Sequence, residues 1–360
     1  MDDASFTAWF SLAHTPGLGR AAARALLARH GGEAAAAQTL PPPSHPQWPR
    51  WLDHARRWRE GEGRHILALD DARYPALLLQ TADPPLLLYV QGDPQALGQT
   101  QAAPCLAVVG SRQPTPQGRA HARAFSRAFS QAGVTVVSGL ALGVDGQAHE
   151  GALEGPSPTV AVVGTGPDLV YPSRHRELAR RIAGQGAIVS EYAPGTPSRP
   201  EHFPQRNRLI AGLARGTLVV EAALQSGSLI TARLAGECGR EVFAIPGSID
   251  SPQSRGCHAL IRQGAMLVES PEEVLQELLP ERSGLAAAAA APAAPTHSPE
   301  PSPQSSAVLQ ALGWEPVDFD HLAARTGLPS AELSVRLLEL ELDGHVSRLP
   351  GGLFQRCGAG

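Results

Sequence analysis

The sequence reads as an α/β protein: a doubly wound, mainly parallel, extended Rossmann-like sheet, with a helical N-terminal domain before it and a winged-helix domain after it. Three observations carry that reading. Short apolar runs near 105–109, 134–138, 159–163, 186–190, 217–221, 242–245 and 266–268 are separated by helix-compatible stretches such as 117–131 and 174–183. Runs of that length fit strands buried on both faces, and their alternation with helices fits parallel βαβ units. Most of the runs close on glycine, as in Gly110, Gly139, Gly164 and Gly247, which lets backbone N–H groups approach a ligand. Before and after these runs, an Ala- and Arg-rich helical stretch and a helix-turn-helix with a small hairpin supply the flanking domains.

Residues 1–65 are read as a helical domain rich in Ala and Arg. Inside it, His14 to Leu27 places Pro16, Gly17 and Gly19 before an amphipathic stretch, resembling a helix-hairpin-helix element. Such a turn serves either a DNA backbone or simple chain reversal in a packing module. Trp48, Trp51 and Trp58 are three and seven apart and are expected to pack one helix face. Residues 66–280 form the Rossmann-like domain, entered through turn or extended segments at Tyr74-Pro75 and Asp83-Pro84-Pro85. The alanine run 286–291 and the Pro-rich stretch after it mark 281–304 as a disordered linker. Residues 305–360 then read as a winged helix. One helix starts near Val308, a helix and turn span Phe319–Leu328, Ser330 caps a third helix to Leu342, and a hairpin joins 343–346 to 351–354.

Composition narrows the function. At 360 residues the chain supports two or three domains. Its formal charge of −4 does not announce a nucleic-acid partner. All 30 basic residues are arginine, so a basic phosphate contact must use the two-pronged guanidinium. Cys105, Cys238, Cys257 and Cys357 are scattered with no C-x-x-C pair, which disfavours zinc and dithiol chemistry. No signal peptide and no apolar run near eighteen residues is found, so a reduced, cytoplasmic protein without a membrane partner is expected.

The loops carry the chemistry. A dinucleotide fold needs G-x-G-x-x-G after the first strand and an acid at the end of the second. Here Gly110-Ser111-Arg112 and Ser138-Gly139 stand in those places, so nicotinamide chemistry is disfavoured. Without lysine there is no ordinary P-loop. Ser111 and Arg112 instead offer a hydroxyl and a guanidinium to one phosphate. Asp145 is expected to cap the following helix, with His149 one turn on and able to pair with it. Gly164, Gly166 and Tyr171-Pro172 make a third rigid loop, anchored by Tyr171. The segment Arg199 to Arg208 is the densest polar feature. Arg199, Arg206, Asn207, Arg208 and the flat face of Phe203 supply charge for a backbone and stacking for bases, as a single strand requires. Arg206 and Arg208 are alternatively tied to Glu191, Glu221 or Glu237 inside the fold. Gly227 and Ser228 open a small-residue helix start suited to phosphate.

These motifs together resemble the DprA/Smf family (DNA-processing protein A). The matching residues are 110–112, 138–145, 164–172, 190–192, 203–208, 211–213, 219–222, 226–232 and 245–247, in order across the whole 105–270 region. The resemblance implies a non-enzymatic protein without a cofactor. It implies single-stranded DNA binding, a homodimer, and loading of RecA recombinase on incoming DNA in natural transformation. It places Ser111 and Arg112 on a phosphate, Phe203 on a base and Asn207 on the backbone. Family members usually carry a basic residue shortly before the Phe-Pro; here Pro200 stands there and Arg199 is its neighbour.

Two other readings compete. The first is a nucleotide-processing enzyme of the phosphoribohydrolase type, but its P-G-G-x-G-T-x-x-E signature is replaced by Pro246-Gly247-Ser248-Ile249-Asp250. The second is a transcription regulator using the winged helix. Its recognition helix carries Glu332, Glu339 and Glu341 against Arg336, which opposes duplex binding and favours a protein contact.

Overall fold

The computed structural model describes residues 1–41, 47–98, 104–279, 303–349 and 351–356. The chain opens with helices α1 (Asp3–His14), α2 (Arg20–His30), α3 (Glu33–Gln38) and α4 (Trp48–Arg59). Asp2 caps α1 by accepting from the Ser5 N–H, and Gly31 ends α2 in the left-handed conformation. Phe6, Trp9, Phe10, Trp48 and Trp58 fill the core between them, closed by Ile66 and Tyr89 from the neighbouring sheet. Trp51 departs from the one-face expectation: it lies 38% exposed.

The sheet has nine strands in the order β1-β2-β6-β5-β4-β3-β7-β8-β9. These are β1 (Arg64–Ala68), β2 (Leu87–Gly92), β3 (Cys105–Val109), β4 (Thr135–Ser138), β5 (Thr159–Val162), β6 (Ala187–Ser190), β7 (Gly216–Val219), β8 (Glu241–Ala244) and β9 (Met266–Leu267). From β6 to β9 every pairing is parallel. The entry to this domain, expected as turn or extended segments, also carries strands: β1 and β2 add two antiparallel strands at one edge. The helices between strands are α5 (Ala76–Leu79), α6 (Pro116–Gln131), α7 (Val144–Ala152), α8 (Arg176–Gln185), α9 (His202–Leu213), α10 (Ser228–Glu237) and α11 (Arg255–Arg262), and α12 (Pro271–Leu278) follows the last strand.

Alternation along β3 shows how the layers form. Leu106 and Val108 join Phe125, Phe129 and Val144 on one face, while Ala107 and Val109 join Leu209 and Ile210 on the other. Helices on both faces bury the sheet. A buried side chain of this size contributes roughly 1.5–3 kcal/mol relative to exposure, so this double burial holds the strands in register.

The final unit comprises α13 (Pro303–Leu312), β10 (Val317–Asp318), α14 (Phe319–Thr326), α15 (Ser330–Leu342), β11 (Val346–Arg348) and β12 (Leu353–Arg356). β12 pairs antiparallel with β10 and β11, giving the wing. Pro329, not Ser330, is the cap residue of α15; Ser330 is already helical, and its carbonyl accepts from the Ser334 hydroxyl. Of the linker expected over 281–304, residues 281–302 lie outside the described residues, as does Cys357, while Pro303 and Gln304 belong to α13. No helix among the described residues is long and apolar enough to cross a membrane.

Candidate nucleic-acid interface

The order of strands creates a crevice. The chain runs from β3 to β4, β5 and β6 on one side, then returns to place β7 on the other side of β3. Loops leaving β3 and β7 therefore diverge, and ligands of doubly wound sheets bind at this switch point. A cleft of about 720 Å³ opens there. Its walls come from residues 110–113 after β3, Tyr171 after β5, Phe203 and Asn207 on α9, and residues 226–228 at the start of α10.

Glu221, at the end of β7, fixes the loop after β3. Its carbonyl accepts from the Ser111 N–H at 2.7 Å. Its carboxylate accepts from the Thr115 N–H at 2.9 Å and the Thr115 hydroxyl at 2.5 Å. Burial pushes that carboxyl up, against the pull of Thr115. Ser111 is buried, and its hydroxyl accepts from the Gln113 N–H. Arg112 follows and points outward. It is exposed, no carboxylate pairs with it among the described residues, and its guanidinium lies 5.7 Å from the Phe203 ring centre.

Phe203 stands half-buried at the centre of the wall. Tyr171 approaches it with ring centres 5.5 Å apart. Behind it, the Arg206 guanidinium lies 6.0 Å from the ring centre. A Cβ on Gly164 would come 3.2 Å from the Phe203 ring, so that glycine makes room for it. The result is an exposed cation and two accessible aromatic rings on one wall. Opposite, Asn207 donates its amide to the Gly227 carbonyl at 3.2 Å, and the Ser226 and Ser228 hydroxyls bond each other.

Several expected contacts prove to be structural. Arg206 is 3% exposed and donates to the Val162 carbonyl at 3.0 Å. Burial lowers its pKa to about 10, while the nearby Asp145 carboxylate opposes that shift. It fills the space a side chain at Gly139 would need, since a Cβ there would come 1.6 Å from its guanidinium. The Gly139 N–H is spent on Asp145, and the Gly166 N–H on the Thr196 carbonyl. Gly139, Gly164 and Gly166 are all buried, so they shape the cleft and do not line it. Arg208 pairs with Glu191 and donates to the Asp83 carbonyl, one of the internal ties weighed from sequence. Arg199 is exposed but lies outside the lining of the cleft. Gly110, Ser111, Arg112, Phe203, Asn207, Gly227 and Ser228 do converge on it, and Arg206, though buried, borders it from behind Phe203.

Other roles also differ from expectation. Asp145 does not cap α7, whose cap residue is Gly143; it accepts from the Gly139 and Ala141 N–H groups and ties the preceding loop. His149 bonds Thr159 rather than Asp145. Tyr171, expected to anchor its loop, is 52% exposed and lines the cleft. Its signal in sequence was an aromatic in a glycine loop after a strand. The locking role of Glu221 had a signal too, an acid directly after the β7 run.

Comparison with known proteins decides the family. A model of the family described as DNA recombination-mediator protein A matches residues 65–279, and a DprA winged helix domain model matches 288–352. The chain belongs to the DNA recombination-mediator protein A family. It is 44% identical to Protein Smf of Escherichia coli over 296 residues, covering 82% of this chain and 78% of that one. Among solved members, DNA processing protein A of Streptococcus pneumoniae superposes with a TM-score of 0.65 at 35% identity, over 77% of this chain and 98% of that one. The Helicobacter pylori member gives 0.54 at 31% identity over 60% and 97%. That structure was reported for its single-stranded DNA binding mode. Family membership accounts for both the α/β sheet and the terminal winged helix.

Proposed function

We propose that this chain binds single-stranded DNA in the cleft between the β3 and β7 loops, as a homodimer, and delivers the strand to a RecA-type recombinase in natural transformation. The observation that carries this reading is Arg112 beside Phe203: an exposed guanidinium with no carboxylate partner among the described residues, next to a ring flanked by Tyr171. A single strand presents a phosphate and an unstacked base together, which a rigid duplex does not. The described binding mode of the H. pylori relative supports the same substrate. Ser111, Gly110 and the Gly227–Ser228 turn would face the backbone, with Asn207 between them. The role is binding in the cytoplasm, not turnover. We assign the winged helix to protein contact, because α15 exposes Val335, Leu338 and Leu342 beside Glu332, Glu339 and Glu341.

The test is Arg112→Ala, assayed by anisotropy of a labelled oligothymidylate. Charge-assisted contacts contribute roughly 1.5–3 kcal/mol, so affinity should fall about tenfold or more with the melting temperature unchanged. Unchanged affinity in a folded variant refutes the assignment.

A further inference from the structure

The helix-hairpin-helix-like segment does not present its arginines to solvent as free cations. Arg20, the first residue of α2, donates to Asp83 at 2.6 Å and to Glu191 at 3.1 Å. Arg24, one turn on, donates to Asp83 at 2.9 Å and to the carbonyls of Pro84 and Ala82. Arg208 of α9 closes the cluster on Glu191 and the Asp83 carbonyl. Two carboxylates thus bind three arginines from two domains. Burial pushes the Asp83 carboxyl up, but Arg20 and Arg24 outweigh it and hold it below the ordinary range.

The cluster sits on the back of the helix that carries the site. Glu191 holds Arg208, and its neighbour Tyr192 stacks on His202 at 3.9 Å between ring centres and donates to Gln205 at 3.1 Å. Residues 202, 205 and 208 are therefore gripped, while Phe203 and Asn207, four apart, face the cleft. Helix α9 has no side-chain cap of its own. A second tie reaches the other wall: His54 of α4 contacts Asp168 at 3.1 Å, and Asp168 accepts from the Gly195 N–H in the loop system that carries Tyr171.

We propose that the N-terminal helical domain positions the cleft: Arg20 and Arg24, acting through Asp83 and Glu191, hold α9 so that Phe203 and Asn207 meet the strand. Arg20, Arg24 and Asp83 are positioning residues that do not touch DNA. The proposal rests on the reading of the cleft as the single-strand site.

Asp83 gives the sharpest test, because it is an acid. If only net charge mattered, Asp83→Ala would tighten binding of a polyanion. Positioning requires the reverse. We expect Asp83→Ala and the double variant Arg20→Ala/Arg24→Ala each to weaken oligothymidylate binding roughly three- to thirtyfold. The slope of log K against log salt should stay at the wild-type value. A lost phosphate contact would instead reduce it by about 0.7. Arg24→Gln, which leaves Arg20 and Arg208 on the acids, is the milder variant should the others fail to fold, and should weaken binding with a normal melting temperature. Unchanged or tighter binding by folded Asp83→Ala, or a reduced salt slope in the arginine variants, overturns the proposal. Arg112→Ala run in parallel separates the two ideas: if it alone keeps full affinity, the cleft assignment has failed, and not the positioning.

Discussion

Arg112 and Phe203 were legible in the sequence because their signals are local: a basic residue directly after a strand-end glycine, and a ring inside an Arg/Asn cluster. Phe203→Ala should weaken single-strand binding by about 1–3 kcal/mol, the range for one stacked base. Titration calorimetry against oligothymidylate checks this, and an unchanged affinity contradicts a stacking role. Arg206 was not legible in the same way. Three residues past Phe203 on a helix, it could face the cleft or the sheet, and only the missing side chain of Gly139 makes room for its guanidinium inside. His149 is a second buried ionisable group whose role needed the fold. The Thr159 hydroxyl donates its proton to the Val136 carbonyl, so it accepts from the His149 Nδ1–H. Burial lowers the His149 pKa to about 3, against 6.5 when unfolded. The unfolded chain then binds the extra proton first as pH falls, so the stabilisation is complete above pH 6.5 and declines below it. The decline should approach about 1.4 kcal/mol per pH unit for this group. Melting curves from pH 7.5 to 5 should show His149→Asn, which keeps a group near Nδ1, losing less stability than wild type over that interval. Parallel curves would refute the linkage.

Loops after β3, β4 and β7 work as one device, since each is tied to another. Ser111 bonds Glu221, and its carbonyl accepts from the Val144 N–H. Gly143, just before Val144, sits at φ 84° with ψ −126°, and a Cβ there would come 2.4 Å from the Ser111 carbonyl oxygen. Gly143→Ala combines a backbone strain of order 1–3 kcal/mol with that clash. It should lower the melting temperature and weaken oligonucleotide binding together; a variant with wild-type stability would show that the loops are not coupled. The parallel strands were readable because the apolar runs alternate with helix-compatible stretches and most of them end in such a loop. Strands β1 and β2 were not. They pair antiparallel at the sheet edge and are separated by turn-forming Pro75, Pro84 and Pro85, so no run-glycine-helix pattern marks them. Strand β10, at two residues, is too short to leave a period.

The distribution of charge explains how a protein of net charge −4 can serve a polyanion. Most arginines near the cleft are already engaged inside the fold: Arg20, Arg24 and Arg208 pair with Asp83 and Glu191, and Arg206 is buried, still charged, near the Asp145 carboxylate. Among the described residues lining the cleft, Arg112 is the exposed arginine. The seat of the N-terminal domain on α9 was out of reach of sequence, because its partners lie 58 to 171 residues apart. Binding should therefore lean on stacking and neutral hydrogen bonds, with few phosphates neutralised. The decisive measurement is the affinity for a labelled oligothymidylate and for a duplex of equal length, each at two salt concentrations. A single-strand site with one or two free cations predicts clear preference for the oligothymidylate, and a log–log salt slope of roughly −0.7 per phosphate engaged, near −1 in all. Equal affinity for the duplex, or binding indifferent to salt, would contradict it.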